Sequence, residues 1–572
     1  GEQKLALFAD DVLIFLTQPN QTLPRLMTAL EEYGSLSGYK INVNKTQILC
    51  LNFKPSIRIK NMYKWNWDSE HIKYLGVALT KDLSKLVEAN YGPLTSKVKS
   101  DLQRWNTVPF LNLHSRVESI RMNILPRMLY LFQCLPIKIP QKYFDDWDRM
   151  LAKYIWQHKR ARVKYKTLQL IKEKGGLGLP CLKEYYYAAQ LRPLICLSSP
   201  TYSAGWKDIE VAITKEVPIM ALLADTKLQK TTPYTSDFMY DSLLNSWNEI
   251  IKKCKLGELS NILRWCAYDS EFVPNKYDDR FKRWISKGLT TYHSFIHKGA
   301  FSSFETLKTK YGLGQDDFYR YLQIRHYFHQ NLKTVYEQKD LGFLQIFLTL
   351  TRSHSQNNII SRLYKGIQQC TQGSTEDIKK RWEKEGNMVI SHDSWANICQ
   401  FQWTITGSNT WREFSWKNMI RYFITPIQKR HLGGGDACWK LCGVSGANHF
   451  HIFWECQVIS NYWTQIGEHV NNVFGTKIPL KCETLYLGDV PVTNWNNNDK
   501  KLLGMLLIAS KKAITRKWMR VESPTIEDWT NIIHEIYVME KLSFSLRMQK
   551  DIFYKIWTKW TEYIKPLRSD FV

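Results

Sequence analysis

Two hydrophobic periods run along the chain, and the place where one gives way to the other divides it. Leu5 to Leu16 reads LALFADDVLIFL, an apolar run of strand length broken by two adjacent acids, which predicts strand, turn and strand around Asp10 and Asp11. Leu23, Leu26, Met27, Leu30 and Tyr33 then recur at helical spacing, with Pro24 suited to the first turn and Gly38 to the stop. Ile41, Val43 and Lys45 through Ile48 to Cys50 read as an extended segment, and Ile72 to Leu79 as a further strand. Past Tyr91-Gly92-Pro93, expected as a short loop, the helical period takes over. Leu94, Val98, Leu102 and Trp105 share one face while Lys97, Lys99 and Arg104 lie off it. Val117, Ile120, Ile124, Met128 and Leu131 repeat the theme with Arg116, Arg121 and Arg127, and Pro126 is expected to kink that helix. Phe144, Trp147, Leu151 and Ile155 define another. Between about Cys196 and Arg430 the pattern predicts amphipathic helices rich in Trp and Lys, parted by polar loops at Thr226 to Ser236, Ser353 to Asn358 and Thr371 to Thr375, with no fixed-period repeat.

Charge narrows the function. The 79 basic and 53 acidic residues leave +26 on 572 residues, more than solubility needs, which points to a polyanionic partner and disfavours an enzyme of neutral metabolites. With 44% hydrophobic and 23% charged residues the chain is globular rather than disordered, and its length suggests about three to five domains. The longest apolar stretches, such as Leu341 to Leu350, fall short of the roughly 20 residues that span a bilayer, so no membrane partner is expected. Nine of the twelve cysteines are scattered singly, which fits a reducing compartment rather than a secreted disulfide framework. Gly1 opens the chain without an initiator Met or a signal peptide, and the expectation is that it starts inside a longer protein.

Candidate chemistry begins at the acid pair. A carboxylate set in an apolar run needs a metal, a cation or a turn. Asp10 and Asp11 are therefore either a hairpin tip or the place where Asp10 holds a divalent ion against nucleotide phosphates, hard Mg²⁺ preferring carboxylate oxygen. Phe8-Ala9-Asp10-Asp11, then Ser37-Gly38-Tyr39-Lys40-Ile41-Asn42 with Lys45-Thr46, then Lys73-Tyr74-Leu75-Gly76, occur in an order that resembles the reverse transcriptases of non-LTR retrotransposons of the long interspersed nuclear element type. The resemblance implies that Asp10 and Asp11 are catalytic, with Asp10 the Mg²⁺ ligand. It places Lys45 in the segment closing over the incoming nucleotide, where the lysine could meet nucleic acid or leaving pyrophosphate; a solvated strand lysine is the alternative. It also implies a third palm carboxylate, the fingers and an endonuclease domain ahead of this acid pair. Because none of these lies in residues 1–7, the expected metal site is incomplete and the chain by itself is expected to be inactive.

Farther along, Lys159, Arg160, Arg162, Lys164 and Lys166 crowd into His158 to Lys166, either a solvated face or a nucleic-acid contact. This run resembles the Ile-Trp-x-x-Lys-Arg-Ala-Arg segment of the same family, as do Gly175-Gly176-Leu177-Gly178-Leu179-Pro180 and Tyr185 to Ala189 after it. Those glycines are expected to be structural, since no Gly-Lys-Ser/Thr follows them. Near the end, Cys438, Cys442 and Cys456 with His451 satisfy the ligand count of a tetrahedral zinc site, His449 being the alternate ligand and a chance cluster of core cysteines the alternative. The family carries a CCHC element in this place. Lys511, Lys512, Arg516, Lys517 and Arg520 around Trp518, followed by Trp529, Tyr537, Trp557 and Trp560, read as a basic helical platform for RNA, a reading compatible with a packed helical cap on the zinc unit.

The expected fold is α+β at the N-terminus, a partial palm over residues 1–90, then predominantly α-helical. A helical thumb with the basic segment occupies 91–195, a helical connector 196–430, and a CCHC zinc unit with a basic helical end 431–572. The resemblance implies RNA-directed DNA polymerase ancestry, Mg²⁺ and Zn²⁺ as cofactors, and an RNA template with a DNA primer or target as partners. It implies an intracellular ribonucleoprotein of nucleus and cytoplasm. The rival reading is a non-catalytic nucleic-acid-binding protein from a decayed or domesticated element.

Overall fold

The computed structural model describes residues 5–199, 202–213, 217–232, 238–338, 341–353, 357–371, 373–430, 433–490 and 495–566. Among them helices predominate, with three two-stranded antiparallel pairs. Two compact units emerge, each gathered from separated stretches: Gly1–Trp105, Ile124–Asp148 and Leu182–Thr371 form one, Asn106–Asn123, Arg149–Cys181 and Gln372–Val572 the other.

In the first unit, Leu5–Phe8 pairs with Asp11–Ile14, Phe8 standing opposite Asp11. The reversal is made by Ala9, at φ 51°, and Asp10. Helix Pro19–Ser37 follows; it begins a turn before the expected start, so Pro24 lies inside it, and it ends where Gly38 takes φ 76° and donates to the Gly34 carbonyl. Leu23 from this helix packs with Cys50, Ile59 and Trp67 in a small core. The extended segment expected at 41–50 does not form a strand. The Asn42 side chain accepts from the Lys45 amide at 3.2 Å and its carbonyl from the same amide at 3.0 Å, a local turn that competes with any ladder. The strand expected at Ile72 to Leu79 is instead a hairpin, His71–Tyr74 with Val77–Thr80, because Leu75 and Gly76 both take positive φ (47° and 82°), the two-residue turn that suits twisted strands. The two hairpins belong to separate sheets, so the palm-like strands do not join into one.

Helix Leu86–Asn106 runs straight through Tyr91-Gly92-Pro93, against the expected loop. Packing overrides the local signal: Tyr91 is fully buried against Phe132 and Trp147, at 6.1 and 5.8 Å between ring centres, and the Asn90 amide brackets Ala78 with bonds of 2.8 Å to its N–H and carbonyl. Leu113–Ser119 continues through a π turn, Ile120–Ile124, into Leu125–Cys134, with Pro126 in the first turn of that helix, where its missing N–H costs no helical bond. Helix Leu182–Ser198 is buried on most of its sides, and Gln190 donates to the Phe132 and Leu135 carbonyls. A second core in this unit gathers Phe272, Trp284, Tyr292, Phe295 and Phe328. Of the expected polar loops, Thr226–Thr231 is a short helix capped by the Asp225 carboxylate, while residues 233–236, 354–356 and 372 lie outside the described residues. No described helix is long and apolar enough to cross a membrane.

In the second unit the glycine loop is structural, as expected. A Cβ at Gly176 would stand 1.9 Å from the Leu170 carbonyl oxygen, Gly175 takes φ 84°, and the Gly175 carbonyl accepts from the Trp416 indole at 2.9 Å. Helices Gln457–Phe474, Asn497–Arg516, Ile526–Leu546 and Lys550–Ile564 bury Trp529, Trp557 and Trp560. These rings are bundle core, not an open stacking platform.

Candidate metal centre and nucleic-acid interface

The cysteine segment folds by tight turns. Leu441, Gly443 and Gly446 take positive φ, and the Cys438 amide donates to Val444 at 2.9 Å, so Cys438 and Cys442 return to one point. His451 opens a π turn, His451–Glu455, whose closing bond runs from the Cys456 amide to the His451 carbonyl. One ligand atom from each of Cys438, Cys442, His451 and Cys456 lies within 4.8 Å of all the others. The Cys438 and Cys456 sulfurs are 3.9 Å apart, close to the roughly 3.8 Å edge of a tetrahedron with metal–sulfur bonds near 2.3 Å. Cys442 Sγ lies 3.3 Å from His451 Nε2, while Nδ1 of the same ring is 3.6 Å from Glu455, the carboxylate–histidine arrangement that orients a ligating imidazole. Burial pushes the Cys438 thiol up to about 12 and raises Cys456 too. At Cys442 desolvation is outweighed by hydrogen bonds, the Val444 amide foremost, and the thiol is lowered. Three thiols and an imidazole at these separations fit a soft or borderline divalent ion and could hold one.

His449, the alternate ligand, points elsewhere. It is buried between Trp382 and Phe453, its ring 5.4 and 4.5 Å from theirs, and neither nitrogen has a hydrogen-bond partner among the described residues. Burial holds its imidazole well below the usual range, so it packs as a neutral ring. Lys440, unremarked in the sequence, is a structural post. It is almost wholly buried, and its ammonium donates to the carbonyls of Lys517, Arg520 and Glu522 at 3.1, 2.9 and 2.7 Å. Trp518 from the same loop lies against Trp439 and Phe453, with ring centres 5.3 and 4.9 Å away. The cluster and the C-terminal bundle therefore share one packed surface. Nothing in the spacing Cys-Trp-Lys-Leu-Cys announces this, because a lysine between two candidate ligands reads as solvated.

Asp10 and Asp11 are exposed at the hairpin tip, and Leu7 and Phe8 beside them are more than half exposed. No other acid, Cys or His joins them in a group of three ligand atoms among the described residues. Lys45 is exposed in its turn, not on a strand. Lys159, Arg160, Arg162 and Lys164 are exposed on a loop after helix Gln141–Trp156, with Arg162 5.1 Å from the centre of the Tyr422 ring. The helical arginines behave differently. Arg116 donates to the Ile155 and Leu111 carbonyls, Arg121 to Gly178 and Glu118, and Arg127 pairs with Asp101 at 2.7 Å. They hold the fold together, whereas Lys97 and Lys99 remain exposed. Of the terminal cations, Lys511 is buried, donates to the Tyr486 carbonyl, and is pushed by desolvation down to about 7. Arg516 pairs with Glu535 and Lys517 with Asp528, which leaves Arg520 exposed and Lys512 half-buried over Phe414. The packed-cap reading of this end thus accounts for most of its charge.

Residues 2–79, which hold the hairpin with its Ala9-Asp10-Asp11 tip, match the family described as reverse transcriptase (RNA-dependent DNA polymerase). The chain is also similar to the transposon TX1 uncharacterized 149 kDa protein of Xenopus laevis, 26% identical over 290 residues. That match takes in 49% of this chain and 21% of the relative, so the matched half of the chain spans about a fifth of the relative's length. Residues 2–79 are thus similar to reverse transcriptases, and about half of the chain is similar to a transposon protein.

Proposed function

We propose that this chain is the carboxy-terminal portion of a retrotransposon reverse transcriptase that binds RNA and DNA and takes part in target-primed reverse transcription. The observation that carries the reading is the Phe8-Ala9-Asp10-Asp11 hairpin tip inside the matched residues 2–79. Asp10 would hold Mg²⁺, with Asp11 beside it. The metal supplies charge neutralisation at transferring phosphates, and the chain's own task is to present the Asp10 carboxylate on a tight, solvent-facing turn. Cys438, Cys442, His451 and Cys456 would hold Zn²⁺ as a structural ion, fixing the turn that carries Lys440 and Trp439. Lys159, Arg160, Arg162 and Lys164 would contact phosphates, with Lys45 nearer the nucleotide. The proposed setting is a ribonucleoprotein of nucleus and cytoplasm.

Binding to single-stranded RNA should fall steeply with salt, because each neutralised phosphate releases counterions and contributes roughly 0.7 to the slope of log K against log salt. Replacing Lys159, Arg160, Arg162 and Lys164 together by Gln should flatten that slope by up to about 3. An unchanged slope in a filter-binding titration would remove the loop from the interface.

A second reading, a non-catalytic nucleic-acid-binding protein, is favoured by the absence of a third ligand near Asp10 among the described residues. Two metals need more carboxylate than Asp10 and Asp11 provide. In a primer-extension assay with Mg²⁺ and deoxynucleotides, this chain alone is expected to give no product. Extension that vanishes in Asp10→Ala would restore the catalytic reading for the chain as it stands.

A further inference from the structure

Residues 296–337 carry chemistry that no motif touched. The short pair Ile296–His297 and Ala300–Phe301, helix Phe318–Asn331 and helix Lys333–Gln338 enclose a cavity of about 440 Å³. That lies within the roughly 300–1,000 Å³ of small-ligand sites. Its floor is aromatic. Phe328 is buried, with its ring 5.0 Å from Phe301 and 6.4 Å from Tyr336; Phe301 stacks on Phe295 at 5.7 Å between ring centres, and both Phe301 and Tyr336 are half-buried and line the cavity.

Its rim is cationic. Arg325 and His329 stand four residues apart on one helix and Lys333 opens the next, all three exposed. Among the described residues Arg325 and His329 have no carboxylate in ion-pair range, and Lys333 meets only the exposed Glu337 at 3.8 Å, a weak, solvent-screened pair. Desolvation, then the charges of Lys333 and Arg325, hold the His329 imidazole below its ordinary value against the opposing pull of Glu337. Two cations, Arg325 and Lys333, and the His329 imidazole therefore line one aromatic cavity, with Glu337 the acid among its lining residues. Packing alone gives no reason to set Arg325 and Lys333 at one rim, since like charges repel unless an anion joins them.

We propose that this groove binds one nucleotide of a single-stranded polynucleotide, its base against the rings of Phe301 and Tyr336 and its phosphates on Arg325, His329 and Lys333. A duplex keeps its base faces stacked on one another, so a ring-lined groove of this size takes an unpaired base. The ligand class rests on the nucleic-acid reading given above; the site is independent of the loop at Lys159 to Lys164 and of the metal cluster.

The test is photocrosslinking of the full chain to a 4-thiouridine-containing oligouridylate of about a dozen nucleotides, with the modified peptides mapped by mass spectrometry. Crosslinks to peptides holding Phe301 or Tyr336 are expected. The pair Arg325→Glu and Lys333→Glu, which leaves every ring in place, should lower that yield about tenfold or more while crosslinks elsewhere persist. Phe301→Leu with Tyr336→Leu should do the same through lost stacking. RNA bound and crosslinked only outside residues 296–337, or a groove yield unmoved by the charge reversals, overturns the site and leaves the broader reading standing. A chain that binds no RNA overturns both.

Discussion

Cys442→Ser is expected to abolish zinc retention in the full chain, which otherwise should purify with one equivalent of the metal. The four ligand atoms already converge to within 4.8 Å, so binding requires little reorganisation, and coordination energy goes directly into holding the turns between Asp436 and Cys456. Apparent binding energies of structural zinc near neutral pH run to roughly 10 kcal/mol or more, so the loss of one of four ligands removes a large part of the local stability. His449→Ala separates the metal from the packing. It empties a buried site between Trp382 and Phe453 and should cost about 2–4 kcal/mol while the metal stays bound. His451→Ala should lose the metal. Zinc content by atomic absorption, beside thermal melts with and without chelator, distinguishes the three variants. Metal kept in Cys442→Ser, or lost in His449→Ala and kept in His451→Ala, would sink the ligand assignment.

Lys440→Met should loosen the segment from Lys517 to Glu522 without emptying the metal centre. Each hydrogen bond from a charged donor contributes roughly 1.5–3 kcal/mol, and the three carbonyls that Lys440 serves would lose their common donor at once. Allowing for non-additivity and for water entering the gap, local opening should become easier by about 3 kcal/mol. That corresponds to amide exchange on the order of 100-fold faster in this segment. Hydrogen exchange resolved to the peptide, together with zinc content, gives the readout. Unchanged protection at Trp518 to Glu522 would show that Trp518 alone holds the loop.

The contrast between Cys442 and Lys440 shows what a sequence exposes. Groups that could hold a metal must sit close together and be of few residue types, so Cys438, Cys442, His451 and Cys456 stand out, and it is the His451 ring, not His449, that the fold brings to the thiols. Gly38 as a helix stop and the structural role of Gly175 and Gly176 were legible for a similar reason: backbone geometry leaves few alternatives to glycine. The misreadings share another cause. Tyr91-Gly92-Pro93 has the composition of a loop, but the burial of Tyr91 outweighs the cost of a proline inside a helix. Asn42 diverts an otherwise strand-like run through a side-chain bond that periodicity does not register. Arg116, Arg121 and Arg127 recur beside an apolar helical face, a pattern that does not say whether they are solvated or paired, and in the fold carbonyls and acids occupy them. Charge on a helix states what a residue can bind; only the fold states what has already bound it.

The bond from Trp416 to the Gly175 carbonyl spans 241 residues of chain. The stretches 106–123 and 149–181 belong to a unit whose larger part begins at Gln372. At synthesis rates of about 5–20 residues per second, those stretches are made roughly 10–60 seconds before the tryptophan that locks them. Through that interval Leu168, Leu177 and Leu179, fully buried in the finished fold, have no completed core to enter. Slower translation of the stretch between residues 182 and 416 would lengthen that exposure without changing a single residue.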